Sequence, residues 1–378
     1  MTAKKNLLKL PVLVATVVVA ILAVILIYLY QNNIQTSAGK PVVKLGVILP
    51  LSGDLAFIGE SIQHGAELAN GEVKDTKYTY QLVFEDDELN PTKSVTALNK
   101  LVDFDKVSGV MSFSGTVGQA LAPIAEKTKV PHFAISSDPK AAVGAYNYIN
   151  FVSPESEAET MVKALTRKGI KTVATLSQSG NAGGESLVAA VEKGLKAKSI
   201  ANTKQEFTAG DTDFRTVIQK LRNTNPDIYF IMAVSPEIEL ITKQLREAGI
   251  DTPITSIEGF SQSTQLELYE GQWFVDPADP TGDYLKKMKA KYNEDNPSPY
   301  GANIYDSIKL LVQATEAAGN GRKVPTNTEI NSKLINITKV KYDGAAGLGV
   351  YFNNDGVLVD KAGIKEIRKG KIVYVGRE

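Results

Sequence analysis

Cysteine is absent from this chain of 378 residues. The absence excludes disulfide bonds, cysteine nucleophiles, thiolate metal sites and lipid attachment through an N-terminal cysteine. The sequence contains only two histidines, His64 and His132. Their spacing in the sequence does not match that of a metal-binding motif. We therefore predict no bound metal and no cofactor, and we interpret both histidines as structural residues.

An excess of charge of either sign is also missing. Lys and Arg total 42 and Asp and Glu total 42, so the formal net charge is zero, and we predict no nucleic-acid partner. The sequence has no Walker motif, no nucleophile elbow and no Ser-His-Asp grouping. These absences argue against common hydrolase chemistry, and we predict that the protein is not an enzyme.

One long apolar run is present near the start, over residues 7–30 (LLKLPVLVATVVVAILAVILIYLY). Roughly 20 such residues span a bilayer, and Lys4, Lys5 and Lys9 favour a cytoplasmic N-terminus. We predict an uncleaved signal anchor that crosses the cell membrane once and leaves the following chain on the extracytoplasmic side. The alternative is a cleaved signal peptide, for which residues 36–38 (Thr-Ser-Ala) offer a small-residue site.

From residue 42 onward, apolar β-branched segments alternate with segments of helical spacing. Val42–Leu49 is typical of a strand, and Ser61–Glu72 has the apolar spacing of a helix. The alternation restarts with a helix predicted over Glu157–Lys168, while 147–156 and 273–283 are predicted as extended or irregular connections. Strands separated by helices predict parallel sheets with right-handed crossovers. The predicted fold class is therefore α/β, with two doubly wound parallel-sheet lobes joined by a multi-strand hinge.

These segments set the predicted domain boundaries. A cleft between two such lobes, at the carboxyl ends of the strands, is where open α/β sheets bind ligands. The predicted regions are a cytoplasmic tail (1–6), the anchor (7–30), a polar tether (31–41), an N-terminal lobe (42–153 plus 283–345) and a C-terminal lobe (154–282 plus 346–378).

The loop after the first predicted strand lies within VVKLGVILPLSGDLAFIGESIQHGAELA (42–69) and resembles the start of a nucleotide-binding unit. A dinucleotide site needs G-x-G-x-x-G, and the spacing of Gly53 and Gly59 does not match it. Asp54 would also repel phosphate. The loop is therefore a poor phosphate site, although a helix N-terminus at this point still favours an anionic group.

This stretch and several later ones resemble one known family. The opening resembles that of the solute-binding proteins of branched-chain amino acid ABC transporters, the Leu/Ile/Val-binding type of periplasmic binding protein (type I). The resemblance covers about residues 42–360 and continues through FEDDELNPTKSVTALNKLV (84–102), GTVGQALAPIAEKTKVPHFAISSDP (115–139), FTAGDTDFRTVIQKL (207–221), SPEIELITKQLREAGI (235–250), IEGF (257–260) and YDSIKLLVQATEAAG (305–319).

The resemblance implies a protein that captures an amino acid or a similar small carboxylate by hinged closure of its lobes. It further implies delivery of that solute to the permease subunits of an ABC transporter, without any covalent chemistry. Two alternatives stay open. One is a sensor domain that acts through a partner, and the other is an enzyme built on the same scaffold.

The resemblance also implies a set of ligand-binding residues. In SGTVG and ISSDP, the hydroxyls of Ser114, Thr116 and Ser137 would meet the α-carboxylate of the ligand. The alternative is that these hydroxyls only cap helices. In IEGF, Glu258 would meet the ligand's ammonium group.

Other positions depart from the family's pattern. An aspartate is frequent near the hinge of the second lobe, and the register here gives Ser156 with Glu155 adjacent, without deciding between them. The first loop offers Phe57 or Ile58 as its apolar contact with the ligand. Ser235 stands where an aromatic residue is frequent, and an Ala-Gly pair stands where Tyr-Gly is frequent. A pocket that loses aromatic residues is larger or less apolar, so the ligand is another amino acid or a different small organic acid.

Overall fold

The computed structural model describes residues 21–25, 39–295 and 297–376. Residues 21–25 are helical and belong to a separate unit, Met1–Pro41, while Val42–Glu378 forms the other unit. Most of the predicted anchor (7–30), together with the predicted tail and most of the tether, lies outside the described residues. Among the residues that are described, no helix is both long and apolar enough to cross a membrane.

The first sheet is formed early in the second unit. Its strands are β1 (Val42–Leu49), β2 (Thr79–Asp86), β3 (Val110–Phe113), β4 (His132–Ile135) and β5 (Asn147–Ile149). All pairings are parallel, and the strand order is β2-β1-β3-β4-β5. Strands β3, β4 and β5 are buried along their whole length, so their sequences are mostly apolar without strict alternation, and each contains one buried polar residue (Ser112, His132 and Asn147).

Helices connect the strands and cover the sheets. Helix α1 (Ala56–Gly71) and helix α9 (Pro299–Ala318) contact each other through their backbones, since a Cβ on Gly65 would lie 2.2 Å from the carbonyl oxygen of Gly301. The helices are α1 (Ala56–Gly71), α2 (Pro91–Lys100), α3 (Gly115–Thr128), α4 (Pro154–Arg167), α5 (Ala182–Ala197), α6 (Arg215–Arg222), α7 (Glu237–Glu247), α8 (Gly282–Tyr292), α9 (Pro299–Ala318) and α10 (Asn327–Thr338).

Helix α4 begins before its predicted start at Glu157. The side chain of Ser153 accepts a backbone N–H of the first turn, and Pro154 occupies the first helical position, where its missing N–H is not needed. The earlier start places Glu157 inside the helix, four and eight residues before the buried Met161 and Leu165. Glu157 therefore shares their face and points into the protein.

The second sheet follows the same parallel pattern. Its strands are β6 (Thr172–Ser179), β7 (Ala201–Thr208), β8 (Ile228–Met232) and β9 (Ile254–Thr255), in the order β7-β6-β8-β9. The sequence PITSIEG (253–259) predicts a longer last strand. The chain instead leaves the sheet after Thr255, and Ile257 forms a bridge with Val275.

The sequence of residues 347–376 predicts a β-rich end of the chain, and the structure confirms strands there. The strands are β10 (Trp273–Pro277), β11 (Tyr351–Phe352), β12 (Leu358–Val359), β13 (Ala362–Arg368) and β14 (Lys371–Gly376). Strands β10, β13 and β14 make an antiparallel sheet, so the prediction of an irregular connection over 273–283 is wrong for its first residues. The partner strand β13 lies far along the sequence, and local pattern does not reveal such a pairing.

The β11–β12 hairpin packs on the first sheet. The ring of Phe352 lies edge-on to Phe133 and Tyr148, with centroids 5.8 and 6.2 Å apart. Nearby, the buried His132 contacts the hydroxyl of Ser112 at 2.8 Å and Oδ1 of Asn147 at 2.9 Å. Burial lowers the pKa of His132 to about 4, so the ring is neutral and acts as a structural residue, as predicted.

Candidate ligand-binding site

A cavity of about 280 Å³ lies between the carboxyl ends of the first and second sheets. Residues that follow β3 and β4 line one side, and residues at or after the ends of β6, β8 and β9 line the other. This is the position where open α/β sheets bind their ligands. The polar lining includes Ser114, Thr116, Ser136, Ser137, Gln178, Asn181, Glu258 and Gln262.

The rest of the lining is mostly apolar. Side chains from the first loop, from both sheets and from helices α5 and α9 surround the polar groups, so a bound molecule would be held largely out of water. A pocket with apolar walls and a few converging polar groups is typical of small-molecule sites. The apolar and aromatic lining residues are Leu55, Leu89, Phe113, Ile135, Phe151, Leu187, Met232, Val234 and Tyr300.

The structure brings together four of the predicted site residues: Ser114, Thr116, Ser137 and Glu258 all line this cavity. Ser114 is also the cap of helix α3, because its Oγ accepts the N–H of Val117 at 3.3 Å. The capping alternative therefore holds for Ser114, although the residue faces the cavity as well. Its backbone has φ 85° and ψ 153°, a conformation that is strained for a residue other than glycine.

The N-termini of helices α3 and α5 meet beside the cavity. A Cβ on Gly115 would lie 2.7 Å from the backbone nitrogen of Gly183, so only glycine permits this approach of the two backbones. Both helices direct the positive ends of their dipoles toward this region. Such termini favour an anionic group, and the hydroxyl of Thr116 stands at the same place.

Glu258 supplies a carboxyl group to the cavity from the segment after β9. The side chain of Ser137 donates to its Oε1 at 2.8 Å, and the hydroxyl of Tyr300 donates to its Oε2 at 3.0 Å. The residue is only 7% exposed, and its backbone adopts φ 61°, in the left-handed region. Burial, with Asp276 nearby, raises the pKa of Glu258 to about 7, against the lowering effect of its hydrogen bonds.

A second carboxyl group that the sequence analysis missed lies against Glu258. Glu157 of helix α4 is 0% exposed, and no donor in the described part of the chain reaches either of its side-chain oxygens. Its carboxyl is close enough to Glu258 to form a hydrogen bond when one of the two carries a proton. Burial, followed by the charge of Glu258, raises the pKa of Glu157 well above its usual value. We call Glu157 and Glu258 the acid pair.

A signal for Glu157 was present in the sequence. Ser153 followed by Pro154 is a helix-start pattern, and it places the helix earlier than residue 157. With that start, Glu157 falls in line with Met161 and Leu165 on the apolar face.

Behind the acid pair lies an ion-paired cluster formed by Asp276, Asp279 and Lys365. The ammonium of Lys365 is 2.7 Å from Asp276 and 2.9 Å from Asp279. Burial alone would lower the pKa of Lys365, but the two aspartates outweigh it and raise that pKa. Burial raises the pKa of Asp276, against the opposing effect of Lys365.

The structure does not bring the remaining predicted residues into this cavity. The hydroxyl of Ser156 donates to the backbone oxygen of Asp360, and Glu155 is exposed. The hydroxyl of Ser235 donates to Glu239 on the next helical turn. The hydroxyls of Ser156 and Ser235 are thus held by contacts outside the cavity.

Phe57 lines a different cavity, of about 470 Å³, and is 41% exposed. This second cavity also contains His64, Tyr292 and Glu294, and it reaches Tyr300 from the other side. The rings of His64 and Tyr292 stack at 4.0 Å between centroids. The sequence predicts Phe57 in the first loop and a helix only from Ser61, but helix α1 begins at Ala56 and therefore contains Phe57, which lines this second cavity and not the one beside Glu258.

In the first loop, a carboxylate of the protein itself occupies the position where an anion could bind. The carboxylate of Asp86, at the end of β2, accepts the N–H of Leu51 at 2.9 Å and the hydroxyl of Ser52 at 2.6 Å. The loop's donors are thus used by the protein itself, in agreement with the prediction that this loop is not a phosphate site. Among the described residues, no group of three or more His, Asp or Glu side chains is arranged to hold a metal ion.

Comparisons with known proteins agree with this architecture. The sequence profile of the periplasmic binding protein family matches residues 42–371. A Leu/Ile/Val-binding protein homolog 3 from Brucella melitensis is 24% identical over 308 residues, covering 75% of this chain and 81% of the relative. This chain is therefore similar to a curated relative over most of both lengths.

Two solved structures share the fold. A leucine binding protein from Thermotoga maritima superposes with a TM-score of 0.80 at 23% identity, covering 88% of this chain and 98% of that one. A solute binding protein of an ABC transporter from R. palustris, in complex with benzoate, superposes with a TM-score of 0.77 at 19% identity, covering 89% and 96%.

Proposed function

This chain belongs to the periplasmic binding protein family, and on that premise we propose that it captures a small zwitterionic solute and delivers it to the permease of an ABC transporter. The solute proposed is an amino acid with an apolar side chain. The observation that carries this proposal is the cavity's polarity: a carboxyl pair at one place, two helix N-termini at another, and apolar walls between them.

The acid pair is the proposed partner of the ligand's ammonium group. Glu258 lies at the cavity surface, and Glu157 stands directly behind it. An ammonium group provides three N–H donors and a positive charge. Two buried carboxyl groups without a cation need both of these. Because Ser137 donates to Glu258, we assign Ser137 to orienting that carboxylate rather than to the ligand's own carboxylate.

The meeting point of helices α3 and α5 is the proposed partner of the ligand's carboxylate. Thr116 and the first backbone N–H groups of α3 stand there, beside the close approach of Gly115 and Gly183. Donors of this kind bind a carboxylate without needing a cation. The side chain of the ligand would then lie against Phe113, Phe151 and other apolar walls.

The fold relatives suggest two ligand classes, since one is a leucine binding protein and the other holds benzoate. Benzoate has a carboxylate but no ammonium group, so it would leave a buried acid pair without a partner. An uncompensated buried charge is costly. The presence of Glu157 and Glu258 therefore favours the amino acid.

Capture is proposed to occur by closure of two lobes around the cavity, without covalent chemistry. The proposed lobes are 42–153 plus 283 to about 359, and 154–282 plus the last segment of the chain. We move the proposed start of that last segment from residue 346 to about 360, because Phe352 packs on the first sheet. The direct contact of Ser137 with Glu258 would then bridge the lobes in their closed state.

The N-terminal run is proposed as the membrane anchor. Residues 7–30 are apolar, with lysines at their start, which supports a cytoplasmic N-terminus and a binding domain on the extracytoplasmic side.

The proposed function is tested by calorimetry with leucine and three analogues, on protein freed of co-purified ligand by unfolding and refolding. The analogues are 4-methylpentanoate, which lacks the ammonium group, 3-methylbutylamine, which lacks the carboxylate, and benzoate. We expect an apolar amino acid to bind at least tenfold more tightly than any of the three. Equal or tighter binding of benzoate or 4-methylpentanoate would contradict the zwitterion proposal. No binding by any apolar amino acid would do the same.

A further inference from the structure

Among the residues that the structure describes, none supplies a cation to the acid pair. The charges that act on Glu157 come from acids, Glu258 and Asp276. Lys365 is the cation in this part of the structure, and Asp276 and Asp279 already contact it. Two carboxylates therefore share one buried space while the nearby positive charge is engaged elsewhere.

The groups that face the acid pair come from several elements. Tyr300 on α9 and Ser137 after β4 donate hydrogen bonds to Glu258, but both are neutral. Asp276 on β10 adds negative charge, and Lys365 on β13 compensates Asp276. The N-terminus of α4 contributes a partial positive charge to Glu157, which lies within its first turns.

Two carboxyl groups in such contact do not both ionise easily. Without a proton, the oxygens of Glu157 have no donor and face a like charge. With one proton, the two carboxyls form a hydrogen bond, and the pair carries a single negative charge. The proton thus fills the role that a cation fills in the neighbouring cluster.

We propose that the ligand's ammonium group replaces a proton held between Glu157 and Glu258, so that capture of the solute releases one proton to water. This inference rests on the proposed function, because it requires an ammonium-bearing ligand in the cavity. The balance is simple: the protonated amine enters as R–NH₃⁺, one carboxyl proton leaves, and no covalent bond changes other than that O–H bond.

A pH dependence follows from this exchange. By linkage, the affinity for the ligand rises with pH wherever binding releases protons, by about tenfold per pH unit when one full proton is released. The rise ends above the pH at which the free pair has already lost its proton. Ligand binding is therefore weakened in an acidic medium, even though the ligand keeps its own charge.

The test is calorimetry on the full chain with leucine, or with the apolar amino acid that binds most tightly, at pH 5.5 and 6.5 in buffers of different ionisation enthalpy. The dependence of the observed heat on buffer gives the number of protons released. We expect close to one proton at the lower pH for the unmodified protein. Release of no protons on clear binding would overturn the inference while leaving the proposed function intact.

Glu157→Gln removes one member of the pair and keeps its size, so we expect proton release to vanish and the pH slope of affinity to flatten. The matched control is Glu159→Gln, an exposed acid of the same helix that pairs with Lys163. Unchanged proton release in Glu157→Gln would overturn the role of the pair.

A ligand-free measurement keeps the inference falsifiable if no amino acid binds. Carbon-13 NMR of glutamate-labelled protein follows each carboxyl through a pH titration. We expect a carboxyl that titrates near neutral pH and moves to a lower pH in Glu157→Gln. Ordinary acidic titration of every glutamate would overturn the inference. Failure of all amino acids to bind would overturn the proposed function, and the proton exchange with it.

Discussion

The ion-paired cluster and the acid pair are neighbours, but they balance charge in different ways. In the cluster, Lys365 lies between Asp276 and Asp279, with both contacts under 3 Å. In the acid pair, Glu157 has no donor, and Glu258 has only the neutral donors Ser137 and Tyr300. The chain supplies its own cation to the cluster, whose residues line the larger cavity beside Phe57. For the acid pair beside the smaller cavity, we propose that the solute supplies the cation.

The largest effect is expected from breaking the cluster with Lys365→Met. This change leaves Asp276 buried without its counter-ion, and removal of one partner from a buried pair costs about 3–5 kcal/mol. We expect the free energy of unfolding to fall by that amount in urea denaturation of the ligand-free protein. As a control, Lys163→Met removes an exposed partner of Glu159 and should change stability by less than about 1 kcal/mol. Equal effects of the two changes would contradict the structural role of the cluster.

The matching change in the acid pair, Glu258→Gln, should weaken binding rather than the fold. The ligand's ammonium would be buried beside a neutral amide, which costs about 3–5 kcal/mol, or at least about 10²-fold in affinity. Calorimetry with an apolar amino acid measures this loss, and a melting curve without ligand checks the fold. Unchanged affinity would remove Glu258 from the site. A collapsed melting temperature would make Glu258 a structural residue.

The pair should also impose a pH dependence on the ligand-free fold. Because the pKa of Glu258 is raised to about 7, the folded state binds more protons than the unfolded chain between about pH 4.5 and 7. Its contribution to stability is present below pH 4.5 and is lost as the pH rises through 7. We expect urea midpoints to fall over this range by more than they do in Glu258→Gln.

That comparison is needed because Asp306 contributes in the same direction. Burial raises its pKa to about 7, although it accepts the N–H groups of Ala345 and Ala346. The difference between unmodified protein and Glu258→Gln isolates the acid pair. Parallel curves for the two proteins would contradict the raised pKa of Glu258.

The smallest effect is expected from Ser137→Ala. Its hydroxyl donates to Glu258, and loss of one hydrogen bond to a carboxylate should cost about 1.5 kcal/mol, or roughly tenfold in affinity. Ser156→Ala provides the comparison, because the Ser156 hydroxyl donates to Asp360 and not to the cavity. We expect that change to alter affinity by less than twofold. The reverse ranking, measured by calorimetry, would restore Ser156 as the ligand contact.

Much of the fold was predictable, because strands buried on both faces leave continuous apolar runs and helices leave a regular spacing. The strand β10 was not, since its hydrogen bonds go to β13 much later in the chain. The same contrast holds in the site. The family resemblance predicts Ser114 and Glu258 as ligand contacts, and both line the cavity because parallel strands bring their carboxyl ends to one edge of a sheet.

Glu157 and Phe57 show what local pattern does not decide. Glu157 was overlooked because the predicted start of α4 came too late, although Ser153 and Pro154 mark the true start. Phe57 was assigned to the ligand, but the packing of α1 against α9 sets its rotation, and that packing depends on Gly65 and Gly301. Contacts between elements that are distant in sequence fix the rotation of a helix. A short stretch of sequence does not contain those contacts.

The most direct test is a crystal structure of the protein with the amino acid that binds most tightly. We predict the ligand in the cavity between the two sheets, with its nitrogen about 3 Å from a carboxylate oxygen of Glu258. We also predict its carboxylate at the N-terminus of α3, beside Thr116. A ligand in the other cavity, beside Phe57 and His64, or one that turns a carboxylate or a carbon atom toward Glu258, would contradict the proposed site.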